Sequence, residues 1–212
     1  MIRERWYGLA VAIPVLLAAA SGCDVGQGEA RGHARFGNCS PCHGADGNGN
    51  PALGAPAIAG LPSWYVETQL KKFRNGARGA HPDDYAGLRM RPMARTLRHD
   101  DDVKAIAVYV EHLKGGVARA SLSGGDAGRG KTLFATCAVC HGDRAQGRRE
   151  MNTPNLHSTG DWYLLEQLKK FKAGVRGSAP TDSGGAQMRA AVATLADDAA
   201  MKDVLAYIQT LE

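Results

Sequence analysis

Aromatic residues are scarce in this 212-residue chain, only 6% of it, with three Trp and four Phe. So little ring mass is what one expects if a large flat cofactor supplies much of the apolar filling. No alternating run of β-branched residues is present, which removes the pattern that sheets require and leaves an all-α class. No Lys/Arg run is interleaved with aromatics, and the formal charge is only +5, so nucleic-acid binding is excluded. No apolar stretch has the length of a membrane span. The most apolar one, Leu9 to Ala20, is short and contains Pro14.

That stretch reads as a targeting signal. Arg3 and Arg5 precede it as a basic region, and Ala20-Ser21-Gly22-Cys23 follows it. The ending resembles a bacterial lipobox, in which cleavage occurs before a cysteine that is then lipidated. Ala20 departs from the usual Leu, so ordinary cleavage after Ala18-Ala19-Ala20 and an uncleaved anchor stay as alternatives. The expectation is a lipoprotein signal over residues 1–23, with Cys23 as the lipidation site and Asp24 resembling an inner-membrane retention signal. Cysteine arithmetic favours it: four of the five cysteines belong to a different pattern, and a lone thiol in an oxidising compartment is a liability.

The other four form Cys39-Ser40-Pro41-Cys42-His43 and Cys137-Ala138-Val139-Cys140-His141. Two thiols about one helical turn apart can form thioethers to the two vinyl groups of one haem, and the adjacent His then reaches the iron. A redox dithiol or half a zinc site uses the same Cys spacing without needing the trailing His. Two complete copies make two covalently bound haems c the expected cofactors, with Cys39, Cys42, Cys137 and Cys140 as attachment points. His43 and His141 are then the proximal iron ligands.

The whole unit is written twice. A constant offset of 98 residues carries Gly32 to Gly130, Phe36 to Phe134, Pro56 to Pro154, Trp64-Tyr65 to Trp162-Tyr163, Gln69 through Phe73 to Gln167 through Phe171, Arg78 to Arg176, Met90 to Met188 and Tyr109 to Tyr207. The expected organisation is a first domain over 29–114, a Gly/Ser-rich linker over 115–125 and a second domain over 126–212. Within each unit, helices are predicted from about Ala30 to Cys42 and Ala127 to Cys140, from Trp64 to Phe73 and Trp162 to Phe171, and along the stripe Val103, Ile106, Ala107, Val110, Leu113 and its repeat.

This combination resembles the dihaem class I cytochromes c of the c-four type: two tandem class I cytochrome c domains, each wrapped around one covalently attached haem. The resemblance covers residues 29 to 212. It implies that Gly32 and Gly130 let the first helix cross the last near Tyr109 and Tyr207. It also implies a late Met as the second axial ligand. The first unit offers Met90 and Met93, the second only Met188, and the offset pairs Met90 with Met188; Met93 maps to Ala191 and reads as a packing thioether. Pro56 and Pro154 match the family proline whose carbonyl accepts from the proximal His, with loop stiffening as the alternative. Trp64 and Trp162, with Tyr65 and Tyr163, are expected around the haem, although an apolar helix face explains them nearly as well.

His33, His81, His99, His112 and His157 have no His at the paired position and read as surface residues, not iron ligands. Lys71, Lys72, Arg74 and Arg78, repeated as Lys169, Lys170, Lys172 and Arg176, read as a solvated face that also pairs with propionates; steering an acidic partner is the alternative. The expected function is a periplasmic electron carrier, tethered to the inner membrane, between a cytochrome bc-type complex or other dehydrogenase and a terminal oxidase or reductase. It is not read as an enzyme. Two rivals are the cytochrome subunit of a larger dehydrogenase, such as a sulfide-oxidising flavocytochrome, and a dihaem peroxidase, which needs one open iron.

Overall fold

The computed structural model describes residues 22–115 and 120–211, with side chains from Gly28 onward. Cys23 and the signal-like segment lie outside the described side chains. The first unit contains α1 (Gly22–Phe36), α2 (Ser40–His43), α3 (Ser63–Asn75), α4 (Tyr85–Arg95) and α5 (Asp100–His112). The second contains α6 (Ala127–His141), α7 (Asp161–Lys172), α8 (Ser183–Val192) and α9 (Asp198–Ile208). Among the described residues the only bridges of β type are Asn50 with Ala55 and Arg148 with Thr153, each pinning the loop after the Cys-x-x-Cys-His turn.

Each unit is built on one helix crossing. α1 lies across α5, and α6 across α9. A Cβ on Gly32 would run into the Ala105 carbonyl and come within 2.7 Å of Tyr109 Cβ; one on Gly130 would strike the Asp203 carbonyl. Only hydrogen fits at these points, so the two glycines expected to permit the crossing do so. The crossings are also bolted by charge. Asp102, buried in α5, accepts from Arg31 and Arg35 at 2.8 and 3.2 Å, and Asp203 in α9 accepts from the backbone of Asp126 and from Arg129 at 2.7 and 2.8 Å.

Each unit buries its own core. Phe36, Leu61, Val66, Leu70, Phe73, Val103, Ile106 and Val110 form one, and Phe134, Leu165, Phe171, Leu195, Met201, Val204, Leu205 and Ile208 the other. The stripes predicted for the last helices are therefore the buried ones.

Three differences from expectation have physical reasons. The first helix of unit one breaks after Phe36, at Gly37 and Asn38, and resumes at Ser40 with Pro41 in its first turn, whereas α6 runs unbroken to His141. The methionine-bearing helices α4 and α8 were not predicted, because Pro92, Gly184 and Gly185 depress helix propensity. Their start is fixed by Asp84 and Asp182, whose side chains accept from the backbone N–H of Gly87 and Gly185 at 3.0 and 2.9 Å. The linker is not loose throughout: the Ser121 and Leu122 backbone N–H groups and the Ser121 hydroxyl donate to Asp161 at 2.6–2.9 Å. Burial works to raise the Asp161 carboxyl, but these donors hold it below the usual range.

Candidate functional site

The short helix α2 is preceded by Cys39, whose carbonyl accepts from the backbone N–H groups of Cys42 and His43 at 3.2 and 3.0 Å. One turn thus presents both thiols and the imidazole together. His43 is buried, and its Nδ1–H donates to the Pro56 carbonyl at 2.9 Å; His141 makes the same bond to Pro154 at 2.9 Å. That bond fixes the tautomer and leaves Nε2 as the ring nitrogen able to ligate a metal. Burial lowers both imidazole pKa values, with the proline carbonyls partly opposing, so neutral rings are the stable form. Burial, followed by the neighbouring Cys42, pushes the Cys39 thiol up to about 11, and burial likewise raises Cys137. Such thiols are poor nucleophiles at neutral pH, which counts against a reactive dithiol.

Met90 on α4 lines the same crevice as Cys39, Cys42 and His43, with Ile58, Leu61, Leu70, Phe73 and Val110 in the wall. Met188 and Cys137 both pack on the second core. Met93 is 40% exposed and borders the first crevice. Of the Trp–Tyr pairs, Tyr65 and Tyr163 line the crevice; Trp64 packs edge-on against Tyr65 at 5.7 Å, and Trp162 against Tyr163 at 5.8 Å. None of the five unpaired histidines lines the crevice. His33 rests on Tyr109, and His157 meets the Arg144 carbonyl.

Half of the cationic strip is not a solvated face but the joint between the two units. Lys72 reaches Asp182 at 2.7 Å and Lys170 reaches Asp84 at 2.8 Å, both carboxylates being buried. Gln69 Oε1 accepts from Arg78 at 2.9 Å and from Arg176 at 3.2 Å; Gln167 Oε1 accepts from Arg176 at 2.8 Å and from Arg78 at 3.2 Å. Arg78 is also bonded to Tyr163, and Arg176 to Tyr65. Every contact therefore has a partner related by the 98-residue offset, the pattern of an isologous two-fold interface inside one chain. The remaining strip is local: Lys71 pairs with Glu67, Lys169 with Asp198 and Arg74 with Asp100 at 2.5–2.7 Å, and Lys172 caps the Leu195 and Ala196 carbonyls. The sequence carried a signal for the joint that went unread: Tyr65, Gln69, Lys72, Arg78 and Asp84 are each identical to the residue 98 positions on.

Two covalent haems fit this arrangement. Arg78 stacks over Phe73 and Arg176 over Phe171 at 4.4 and 4.5 Å, and each Nε is buried without a hydrogen-bond partner among the described residues. Burial and the like charge of Arg78 lower the pKa of Arg176, whereas at Arg78 burial is outweighed by the neighbouring Tyr163, Tyr65 and Asp84, which raise it. Two buried guanidiniums with orphan Nε donors suit anions, and Arg78 lines the crevice where propionates would supply them.

Comparison with known proteins gives the same reading. The cytochrome c family profile matches residues 29–114 and again 127–212. A thiosulfate dehydrogenase electron acceptor from Thiomonas intermedia is 36% identical over 68% of this chain and 66% of its own length. The cbb3-type cytochrome c oxidase subunit FixP of Bradyrhizobium diazoefficiens is 31% identical, with 76% of this chain covering 55% of that one. The chain thus spans somewhat under two-thirds of these two relatives. Cytochrome c4 of Stutzerimonas stutzeri matches end to end, 29% identical over 96% of this chain and 95% of that one. The crystal structure of reduced recombinant cytochrome c4 from Pseudomonas stutzeri superposes with a TM-score of 0.68 at 29% identity, covering 87% of this chain and 98% of the other.

Proposed function

We propose, from the premise that this chain belongs to the cytochrome c family as a dihaem electron-transfer protein of the cytochrome c4 type with two covalently bound haems c, that it is a periplasmic carrier tethered by a lipid on Cys23. It takes electrons from a cytochrome bc-type complex or other dehydrogenase and delivers them to a terminal oxidase or reductase. The observation that supports this reading is the repetition of one set of residues. Each unit carries a histidine whose Nδ1 is held by a proline carbonyl and a methionine on a separate helix, Met90 on α4 and Met188 on α8; with those two sulfurs as the second ligands, neither iron would keep a position for substrate. Haem supplies reversible one-electron redox chemistry. The chain's own residues hold it: four thiols anchor it, Pro56 and Pro154 orient the imidazoles, and the apolar walls exclude water. A thioether opposite imidazole favours ferrous iron and raises the potential, which suits electrons arriving from quinol-level donors.

A second reading has one observation in its favour, the similarity to thiosulfate dehydrogenase electron acceptors. Here the chain would serve one dehydrogenase as its dedicated acceptor. The two readings separate in membranes washed free of c-type cytochromes. Added protein is expected to restore quinol-driven oxygen uptake in proportion to its amount without turning over peroxide, and a Cys23→Ser variant is expected to do so from the soluble fraction, since several acyl chains anchor far better than one. No restoration, combined with rapid reduction by a substrate-loaded dehydrogenase, would favour the second reading; peroxide turnover would exclude both.

A further inference from the structure

The two units differ most where they face outward. On α4, Tyr85, Leu88, Arg89, Pro92 and Met93 recur at i, i+3, i+4, i+7 and i+8, which is one face of a helix, and all five are exposed. Tyr85 is 75% exposed, and Leu88 and Met93 are 38% and 40% exposed. The same face of α8 reads Ser183, Ala186, Gln187, Ala190 and Ala191, uncharged throughout and without a large apolar side chain. Charge follows the same division. Arg95 and Arg98 lie exposed at the end of α4, where the second unit has Ala193 and Ala196.

The α4 face is continuous with the site. Arg89 and Met93 border the mouth of the first crevice, and Arg89 donates to the carbonyl of Leu53, itself 41% exposed on the opposite rim, at 2.7 Å. A helix whose inner side packs Met90, Gly87 and Ala94 gains nothing in stability from turning Tyr, Leu and Met to water. Tyr, Met and Arg together, exposed around an apolar centre, are the composition of a protein-binding hot spot. On α8 the fold has shown that Ser and Ala serve as well for structure. The second unit's exposed large apolar residues, Val139 and Met151, sit on separate elements, and of the arginines in its loop after the Cys-x-x-Cys-His turn, the exposed Arg144 and Arg149 each have a neighbouring carboxylate in Asp143 and Glu150, with Arg148 half-buried between them.

We infer that the outward face of α4, Tyr85, Leu88, Arg89 and Met93 with Arg95 and Arg98, is the docking surface for an acidic redox protein, and that electrons are exchanged with that partner through the first unit and not the second. The inference rests on the carrier reading. The partner carries an apolar spot ringed by carboxylates; the arginines steer it, and the apolar stripe seats it beside the crevice. One electron passes per encounter, the donor centre is oxidised by one, the haem of the first unit is reduced by one, and no proton moves. A lipid surface is disfavoured, because α4 has 11 residues, contains Pro92 and lacks Lys and Trp.

Photoreduced plant-type ferredoxin, an acidic one-electron donor, serves as the probe in stopped flow, and neutral lumiflavin semiquinone as the reference. The variant Tyr85→Ser, Leu88→Ala, Arg89→Gln, Met93→Ala gives α4 the residues α8 already carries, so its fold has a precedent in the same chain. At low ionic strength the ratio of ferredoxin rate to lumiflavin rate is expected to fall about tenfold, with a flatter salt dependence. The reciprocal change on α8, Ser183→Tyr, Ala186→Leu, Gln187→Arg and Ala191→Met, should raise the ratio, and Arg149→Gln should alter it less than twofold. An unchanged ratio in the α4 variant, or the loss appearing with Arg149→Gln, would overturn the inference. So would loss of cosedimentation with phosphatidylglycerol vesicles in the α4 variant while its ferredoxin ratio holds. Haems that lumiflavin cannot reduce would instead overturn the carrier reading.

Discussion

Replacing Met90 by Ala is expected to open the first haem alone. About half of the weak near-infrared sulfur-to-iron band of the oxidised protein should vanish, that haem's potential should drop by about 0.1 V or more within the ~0.8 V range that axial ligands command, and carbon monoxide should bind one haem per chain rapidly on reduction. Met188→Ala should do the same to the second haem. The effects should be separable because each methionine packs on its own unit's core. Met93→Ala should leave the band whole, since that side chain stands at the mouth, 40% exposed. A Met90 variant that keeps the full band, or rapid carbon monoxide binding by the unaltered protein, would show that the assigned sulfur does not close the site.

The second large effect concerns the joint. Lys72→Met leaves the buried Asp182 carboxylate without its cation, though Gly185 N–H still donates to it. Losing one partner of a buried pair costs several kcal/mol; with that remaining donor and Lys72 partly exposed, the expectation is about 2–3 kcal/mol, or a fall in melting temperature of about 5–10 °C. Lys170→Met should behave alike through Asp84, whereas Lys71→Met, in a partly exposed pair with Glu67, should cost under ~1 kcal/mol. Burial works to raise the Asp182 carboxyl, but Lys72 and Gly185 N–H hold it below the usual carboxylate value. Its contribution is therefore full above that usual value and is lost as pH falls through the lower folded value. The melting temperatures of the Lys72 variant and the native protein should converge on acidification; a constant gap down to the acid limit would contradict the assignment.

What was legible in the sequence was what repeats with chemistry attached. Cys39, Cys42 and His43 needed only their spacing, because they answer to one local constraint, whereas the offset paired Gly32 with Gly130 and the family resemblance supplied the crossing they permit. The stripes of α5 and α9 were legible because burial imposes a helical period. The helices α4 and α8 were not, since tertiary packing and a single Asp cap outweigh Pro92 and the Gly184-Gly185 pair. The joint was misread for a different reason. Lys72 and Arg78 look like any solvated cation until the second unit brings Asp182, Gln167 and Tyr163 against them, and no residue within one unit reports that approach. Of the rings expected around the haem, Tyr65 and Tyr163 line the first crevice and Trp64 and Trp162 pack beside them: the turn of a helix decides which of two adjacent rings faces inward.

The central claim is that each Cys-x-x-Cys-His turn holds one haem by two thioethers. Acid-acetone extraction followed by intact-protein mass measurement tests it most directly. The expected result is that all colour stays with the protein and the chain gains the mass of two haems, with thioether-modified peptides containing Cys39 and Cys42 and, separately, Cys137 and Cys140. Haem that extracts into acetone, a gain of a single haem, or bound zinc at either turn would contradict it.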